Sequence, residues 1–533
     1  PMDVLIAISP ILLIFVLLVF ARTAADIAGL LGWLGTIAVA VLYFHTQPSV
    51  AFDASLAGAA ASFPISLMVA ASIFQMTFML ETGAVRRIVL TMKAVSPRDR
   101  IAQILMINVG FGTLVTALGA TPVSILPPIM LALGYSSFVA IALPAIGYDS
   151  LCTYALLAIP AVIFTDVLGP IAAKAGMVWT LQDTGLLFAR YIPLVTSAIA
   201  LGMFWIVGGW PMIRRGLFPA ILTGLIAGVA CWVMALADLV PLTGVVAGVA
   251  IILVLALVLK ARGRPVYSRE ALDAKDLAGL GEMSLWRATS PWLLLLVFAT
   301  VVNLKVLPLY KILFQDLPLA ITLIPGTPTP TRLFWQAYFW VLVSTLVAAF
   351  WLRPSAEQWR TILRRTAKRA PRPVLAAAIY FAVAYVIDHS GKVAQAGPEG
   401  VRWILGDPSH NMVQVVARAA ADAFGSMYGL VAPYLGLLAG FISGSETSAI
   451  AMLSRFHIET ASALGHPFTV GLLLAAAGGI GGGLASVISP AKLQNAAAII
   501  DRIGEEGRVL RTTTVISLAI TLISAVATLL WTL

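Results

Sequence analysis

Long apolar runs recur from one end of the chain to the other: Val4 to Phe20, Ile27 to Phe44, Leu217 to Ala235, Val240 to Leu259, Val374 to Ile387 and Thr512 to Leu530. Most approach the roughly 20 residues that an α-helix needs to span the hydrocarbon of a bilayer. Backbone polar groups find no water there, so each run is predicted to close its own hydrogen bonds as a helix. No small-residue cleavage site follows the first run, which reads as a retained span rather than a signal peptide.

Where polar residues interrupt the runs, they are mostly basic. The strongest clusters are Arg86, Arg87, Lys93, Arg98 and Arg100; Arg214 and Arg215; Lys260, Arg262 and Arg264; and Arg353 through Arg372. Two predicted spans separate Arg215 from Lys260, and two more separate Lys260 from Arg353. The last three clusters therefore share a side, which an excess of Lys and Arg marks as cytoplasmic. The proline-rich loop Leu323 to Arg332 then lies outside. Residues 101–134 start and end on the cytoplasmic side, which requires a re-entrant hairpin whose tip is "TALGATPVS", Thr116 to Ser124. Residues 429–453 enter from outside and return, with a tip in "GFISGSETSAIAML", Gly440 to Leu453. The expected fold is an all-α polytopic membrane protein of about 12 transmembrane helices plus two re-entrant hairpins, with both termini outside.

Composition makes lipid the expected solvent. Of 533 residues, 60% are hydrophobic and 11% charged, against about 25% charged in soluble domains. The net charge of +10 sits in short loops between spans, so nucleic acid is not an expected partner. Cys152 and Cys231 stand in apolar context and the five histidines are scattered, giving neither a disulfide framework nor metal-ligand spacing. No phosphate-binding Gly-x-x-x-x-Gly-Lys-Ser/Thr loop and no hydrolase signature occurs, so neither an ATP-driven pump nor an enzyme is expected, and no cofactor.

A repeat is visible. "ALGYSSFVAIALPAIG" (Ala132 to Gly147) matches "ALGHPFTVGLLLAAAG" (Ala463 to Gly478) without gaps at its Ala-Leu-Gly, a Val, a Leu, an Ala and the last Gly. Each block follows a hairpin tip, and each precedes a proline, Pro160 or Pro490. Upstream, Phe78 to Gly83 resembles Val386 to Gly391. The basic cluster follows the span that ends at Glu81 but precedes the span that ends at Asp388, so equivalent spans cross in opposite directions. The alternative is a pair of unrelated Gly-rich packing segments. On the inverted reading, residues 1–63 are N-terminal spans and 64–209 the first repeat. Residues 210–353 are central scaffold spans with a cytoplasmic loop at 261–287, and 354–533 form the second repeat. Inverted repeats with broken helices place a solute site near mid-membrane.

The tips hold the candidate chemistry. Thr116, Thr121 and Ser124 on one, and Ser443, Ser445, Thr447 and Ser448 on the other, offer hydroxyls, and helix N-termini offer free N–H groups to an anion. Glu446 is a charge within an apolar segment, and such residues are commonly functional. Two readings are open and compatible: Glu446 as proton carrier, or an N-cap in which Glu446 or Ser445 bonds the free N–H groups of the helix that starts near Thr447. Asp149, in "GYDSLCTY", is the second candidate for proton coupling, with satisfaction by neighbouring hydroxyls as its structural alternative. Lys492, in "SPAKLQNAAA", is either an attractor for an anion or a lysine reaching for the interface. Tyr148, Ser489 and Asn495 flank the two breaks as further substrate ligands. Asp166, Glu81 and Asp388 lie nearer span ends, where interfacial water is expected to meet them.

At these residues the sequence resembles the lactate permease family of bacterial monocarboxylate transporters. "GSETS" is similar to the family's Gly-Ser-Asp-Thr-Ser, and "VISPAKLQNAAA" (Val487 to Ala498) to its Met-Ile-Ser-Pro-Gln segment. "VGFGTLVTALGATPVSI" (Val109 to Ile125) sits where the family carries a Gly-rich segment ending in Gly-Ala-Pro-Val. Three departures cluster: Thr116 stands where the family has a Glu, Ala485-Ser486-Val487 replaces Gly-Lys-Met, and Tyr148-Asp149 replaces Asn-Thr. They mark a divergent branch.

The resemblance implies uptake of lactate, glycolate or a related 2-hydroxy monocarboxylate together with a proton, through the cytoplasmic (inner) membrane of a bacterium or archaeon. The transport domain would move against a scaffold in elevator fashion. A sodium-coupled carboxylate transporter, a transporter of another organic anion with a related fold, and an anion channel are the alternatives, and a homo-oligomer is compatible with the sequence.

Overall fold

In the computed structural model, which describes residues 2–21, 23–95, 99–397, 400–502 and 505–533, the apolar runs are helices. Among the described residues ten helices are long and apolar enough to cross a membrane. Three shorter apolar helices, Met2–Val19, Ala25–Leu42 and Ala337–Leu352, accompany them. No closed sheet occurs among the described residues. The strands form two antiparallel hairpins, Ala320–Ile324 with Thr327–Pro330 and Lys392–Gly397 with Gly400–Leu405.

The run Leu217 to Ala235, expected as a span of its own, is the second half of one 45-residue element, Ile192–Leu236, broken at Gly209 (φ 60°, ψ −152°). Only a residue without Cβ takes that backbone without strain, and Pro211 follows it. Helix Ala274–Glu282 lies within the expected loop at 261–287. Asp276 pairs with Lys93, and a bridge joins Val95 to Tyr267, so this segment is tied to the first basic cluster. Exposed Leu217, Phe218, Ile221, Leu225, Val229 and Trp232 form an apolar stripe at helical spacing on the outside of Ile192–Leu236, as a lipid-facing surface requires.

The centre is helix Phe468–Leu484, buried at every residue from Gly471 to Leu484. Two Gly-x-x-x-Gly pairs let backbones touch there: a Cβ on Gly436 or Gly440 would collide with the carbonyl oxygens of Gly478 and Gly482. Lipid tails are as apolar as leucine, so close backbone packing replaces the hydrophobic drive.

Residues 101–134 fold as Arg100–Ile104, a π-helical stretch Leu105–Phe111, Gly112–Ala117 and then Pro122–Ala132. Residues 429–453 lie in Tyr428–Ser443 and Glu446–Ala463, joined at Gly444 in the left-handed conformation (φ 70°). Pro122–Ala132 packs on Ser137–Gly147 and on Pro490–Ile499; Glu446–Ala463 packs on Phe468–Leu484 and on Ala155–Lys174.

The three acids placed near span ends are ion-paired rather than simply hydrated. Glu81 pairs with Arg365, Asp166 with Arg332 at 3.0 Å, and Asp388 with Arg455 at 2.7 Å. Each cation lies far along the chain from its acid or on another helix, which local sequence does not reveal.

Candidate functional site

Helix Ser137–Gly147 gives way to a 3₁₀ segment, Tyr148–Tyr154, within which Leu151 leaves helical geometry (φ −135°, ψ 43°). Just beyond it Leu156, Leu157 and Ala158 all have positive φ (55°, 56° and 63°). Each such residue costs about 1–2 kcal/mol, so surrounding packing must hold the break. It exposes polar groups that a continuous helix would bury on all sides. Ser150 bonds Thr113 at 3.0 Å and the Gly147 carbonyl at 3.0 Å. Asp149 and Thr153 turn to the second half of the chain.

The second break mirrors this one in kind. Phe468–Leu484 is followed by a 3₁₀ turn, Ser486–Ile488, and by helix Pro490–Ile499. The freed N–H of Val487 donates to Asp149 Oδ2 at 3.1 Å, so one break caps the other. Asp149 is 5% exposed, and its Oδ1 has no hydrogen-bond partner among the described residues.

Glu446 opens helix Glu446–Ala463 but does not cap it. Ser445 is the N-cap, its hydroxyl accepting from Ser448 N–H at 3.4 Å. The Glu446 carboxyl instead accepts from the Thr153 hydroxyl at 2.5 Å through Oε1, while Oε2 is buried beside Cys152, with no oxygen or nitrogen partner among the described residues. Glu446 is 2% exposed. Gly483 keeps the space open: a Cβ there would lie 2.7 Å from Oε2.

Lys492 completes the cluster. Its ammonium donates to Ser486 Oγ at 2.7 Å and sits 4.1 Å from the centroid of the Tyr148 ring, a cation–π contact. It is held inside rather than reaching for the interface. Two carboxyls and one ammonium thus meet where the two broken segments and the second tip converge.

Other candidates are placed as follows. Ser443 donates to the Ala439 carbonyl at 2.8 Å, and Thr447, Ser448 and Ser489 are buried. The space beside Gly444 faces Ser489, whose Oγ would lie 3.6 Å from a Cβ on the glycine. Thr116 turns its hydroxyl back onto the Gly112 carbonyl of its own helix at 2.7 Å. Thr121 is the half-buried N-cap of Pro122–Ala132 and makes no side-chain cap bond. Gly119, between Gly112–Ala117 and Pro122–Ala132, abuts Ser72 and Met68; a Cβ there would be 3.0 Å from each, and Ser72 Oγ is buried with no hydrogen-bond partner among the described residues. The side chains of Ser124 and Asn495 lie outside the described residues. Thr153, Ser486 and Ser72 were not singled out from sequence, although the first two stand within or beside the quoted polar breaks.

This fold and cluster define a polytopic helical membrane protein with a buried, charged site between broken helices. The L-lactate permease family model matches residues 3–533, and the chain belongs to that family. Glycolate permease GlcA of Escherichia coli (strain K12) is 23% identical over 578 aligned residues, covering 99% of this chain and 95% of the relative. L-lactate permease of the same strain is 24% identical over 570 residues, with 99% and 95% covered. L-lactate permease of Bacillus subtilis (strain 168) is 23% identical over 575 residues, with 99% and 96% covered.

Proposed function

We propose that the protein is a secondary active transporter that carries a small 2-hydroxy monocarboxylate such as lactate or glycolate together with a proton. The observation that carries this reading is the cluster of Asp149, Glu446 and Lys492. Burying charge at membrane depth is costly, so such groups persist where they have work to do. With one ammonium for two carboxyls, one proton on either acid brings the cluster to neutrality. Lys492 balances Asp149, and arrival of a carboxylate substrate adds a negative charge that favours a proton on Glu446. Substrate and proton favour each other's binding by charge balance, which is what symport needs. The names of the relatives, lactate and glycolate permeases, supply the substrate class.

Substrate would sit between the second tip and the two breaks. Tyr148, Ser443, Ser445, Thr447, Ser448 and Ser489 are the proposed ligands and Lys492 the counter-charge. Thr116, Thr121, Ser124 and Asn495 are kept as an outer set that a moved first tip would bring in. Two inverted repeats of about 12 crossings plus two re-entrant hairpins frame the site on this reading. Their support is the reciprocal packing of each tip's returning helix on the helix after the other half's break. The first and second repeats cover residues 64–209 and 354–533, with N-terminal spans at 1–63 and central scaffold spans at 210–353. An elevator movement of the hairpins and broken helices against that scaffold, in a cytoplasmic membrane with both termini outside, completes the proposal.

The test is uptake in proteoliposomes. An inward proton gradient should drive accumulation of labelled lactate or glycolate without sodium. Uptake that requires sodium would replace the proton, and unsaturable conductance would indicate a channel.

A further inference from the structure

Away from the buried site, a cavity of about 560 Å³ opens at the face that carries the basic loops. It lies between the Gly208–Met212 kink of Ile192–Leu236, the last turns of helix Thr243–Ala261 and the start of Arg100–Ile104. Four arginines line it, Arg100, Arg215, Arg262 and Arg264, against one carboxylate, Asp99. Asp99 pairs with Arg264 and accepts from Ala102 N–H at 3.1 Å, and Arg100 lies 5.7 Å from the Tyr135 ring centroid. Arg215 and Arg262 are exposed and make no ion pair among the described residues. The remaining wall is apolar, formed by Phe218, Leu222, Leu255 and Val258. Phe218 is also 63% exposed and belongs to the lipid-facing stripe with Leu217, Ile221 and Leu225. The cavity therefore runs from a basic end at the membrane face to an apolar flank that is continuous with the surface facing acyl chains.

We propose that this cavity binds an anionic phospholipid, with its phosphate on Arg215 and Arg262 and an acyl chain along Phe218 and Leu222. Guanidinium groups match phosphate oxygens in a planar, bidentate way, and basic pockets between spans on the cytoplasmic side select acidic headgroups. A free phosphate or a soluble carboxylate would use the arginines but would leave the apolar flank unfilled. The kink at Gly209 forms one wall, so the lipid would brace the bend between the two halves of Ile192–Leu236.

Native mass spectrometry of the purified full chain tests this. Delipidated protein is titrated separately with phosphatidylglycerol, phosphatidylcholine, inorganic phosphate and glycerol 3-phosphate. Phosphatidylglycerol should be retained at least about tenfold better than phosphatidylcholine, about 1.4 kcal/mol, and millimolar phosphate or glycerol 3-phosphate should not displace it. The double variant Arg215→Gln/Arg262→Gln should retain both lipids equally. Arg214→Gln, an exposed neighbour that does not line the cavity, should behave as the parent; thermal unfolding of each variant checks folding. Equal retention of the two lipids by the parent would overturn the proposal. So would an unchanged preference in the double variant, or displacement by glycerol 3-phosphate alone, which would make this a site for a soluble anion.

Discussion

Thr153 donates its hydroxyl to Glu446 Oε1 at 2.5 Å, a buried hydrogen bond between residues 293 positions apart in the chain. It joins the first broken segment to the second tip. Thr153→Val keeps the shape and removes the donor. A buried carboxyl that loses its partner costs roughly 1–3 kcal/mol, so thermal unfolding in detergent should move to lower temperature. Thr153→Ser should restore the parent value. A valine variant as stable as the parent would show that the bond contributes nothing to holding the two elements together.

Gly483 sits against the other carboxyl oxygen. A Cβ there would lie 2.7 Å from Glu446 Oε2 and 3.3 Å from Cys152 Cβ. Gly483→Ala should displace the carboxyl and lower stability by about 1–3 kcal/mol, the usual range for overpacking, with a larger loss of substrate uptake than of expression. Gly507→Ala, where a Cβ meets nothing within 4 Å, is the matched control. Parent-like uptake by Gly483→Ala would argue against a requirement for this carboxyl position.

These two contacts show what the chain made legible and what it hid. The apolar runs announced the spans because hydrocarbon leaves a backbone no alternative to the helix. Glu446, Asp149 and Lys492 were legible as charges out of place, and the structure gathers all three. Their partners were not. Thr153 and Ser486 lie in 3₁₀ breaks, where the 3.6-residue period that tells one face from another no longer holds. The choice between cap and free carboxyl at Glu446 turned on which of two adjacent residues took the N-cap geometry, and Ser445 took it. Thr116 stood out by its position at a tip, yet its hydroxyl serves its own helix. Arg332 meets Asp166 across 166 residues, a pairing that only the packed fold creates.

Arg455 and Asp388 offer a test of movement. Arg455 lies on the helix that begins with Glu446, Asp388 ends helix Pro371–Asp388, and their ion pair measures 2.7 Å. The side chains keep 30% and 24% of their exposure. A double-mutant cycle with Arg455→Gln and Asp388→Asn should therefore give a coupling of about 1–3 kcal/mol, below the 3–5 kcal/mol lost on breaking a fully buried pair. If the Glu446 helix moves against Pro371–Asp388 during transport, loosening this tie should raise the rate of substrate exchange even as stability falls. A purely structural pair would lower both, and exchange assays beside unfolding curves separate the two outcomes.

Moving an anion into a cell opposes the negative interior, and a proton that travels with it cancels the charge. Glu446 and Asp149 are the two acids of the cluster, and each has one buried carboxyl oxygen with no oxygen or nitrogen partner among the described residues. Glu446→Gln fixes the first in a neutral form of nearly the same shape, and its amide oxygen can still accept from Thr153. The variant should fold, bind substrate and exchange it across the membrane, yet fail to accumulate it against a gradient when driven by pH. Asp149→Asn should be more disruptive to folding, because Asp149 also holds the freed N–H of Val487 at 3.1 Å. Paired counterflow and pH-driven uptake in proteoliposomes distinguish the residues. Counterflow without accumulation assigns Glu446 to the proton, whereas full pH-driven accumulation by Glu446→Gln removes it from that role and leaves Asp149 as the remaining carrier.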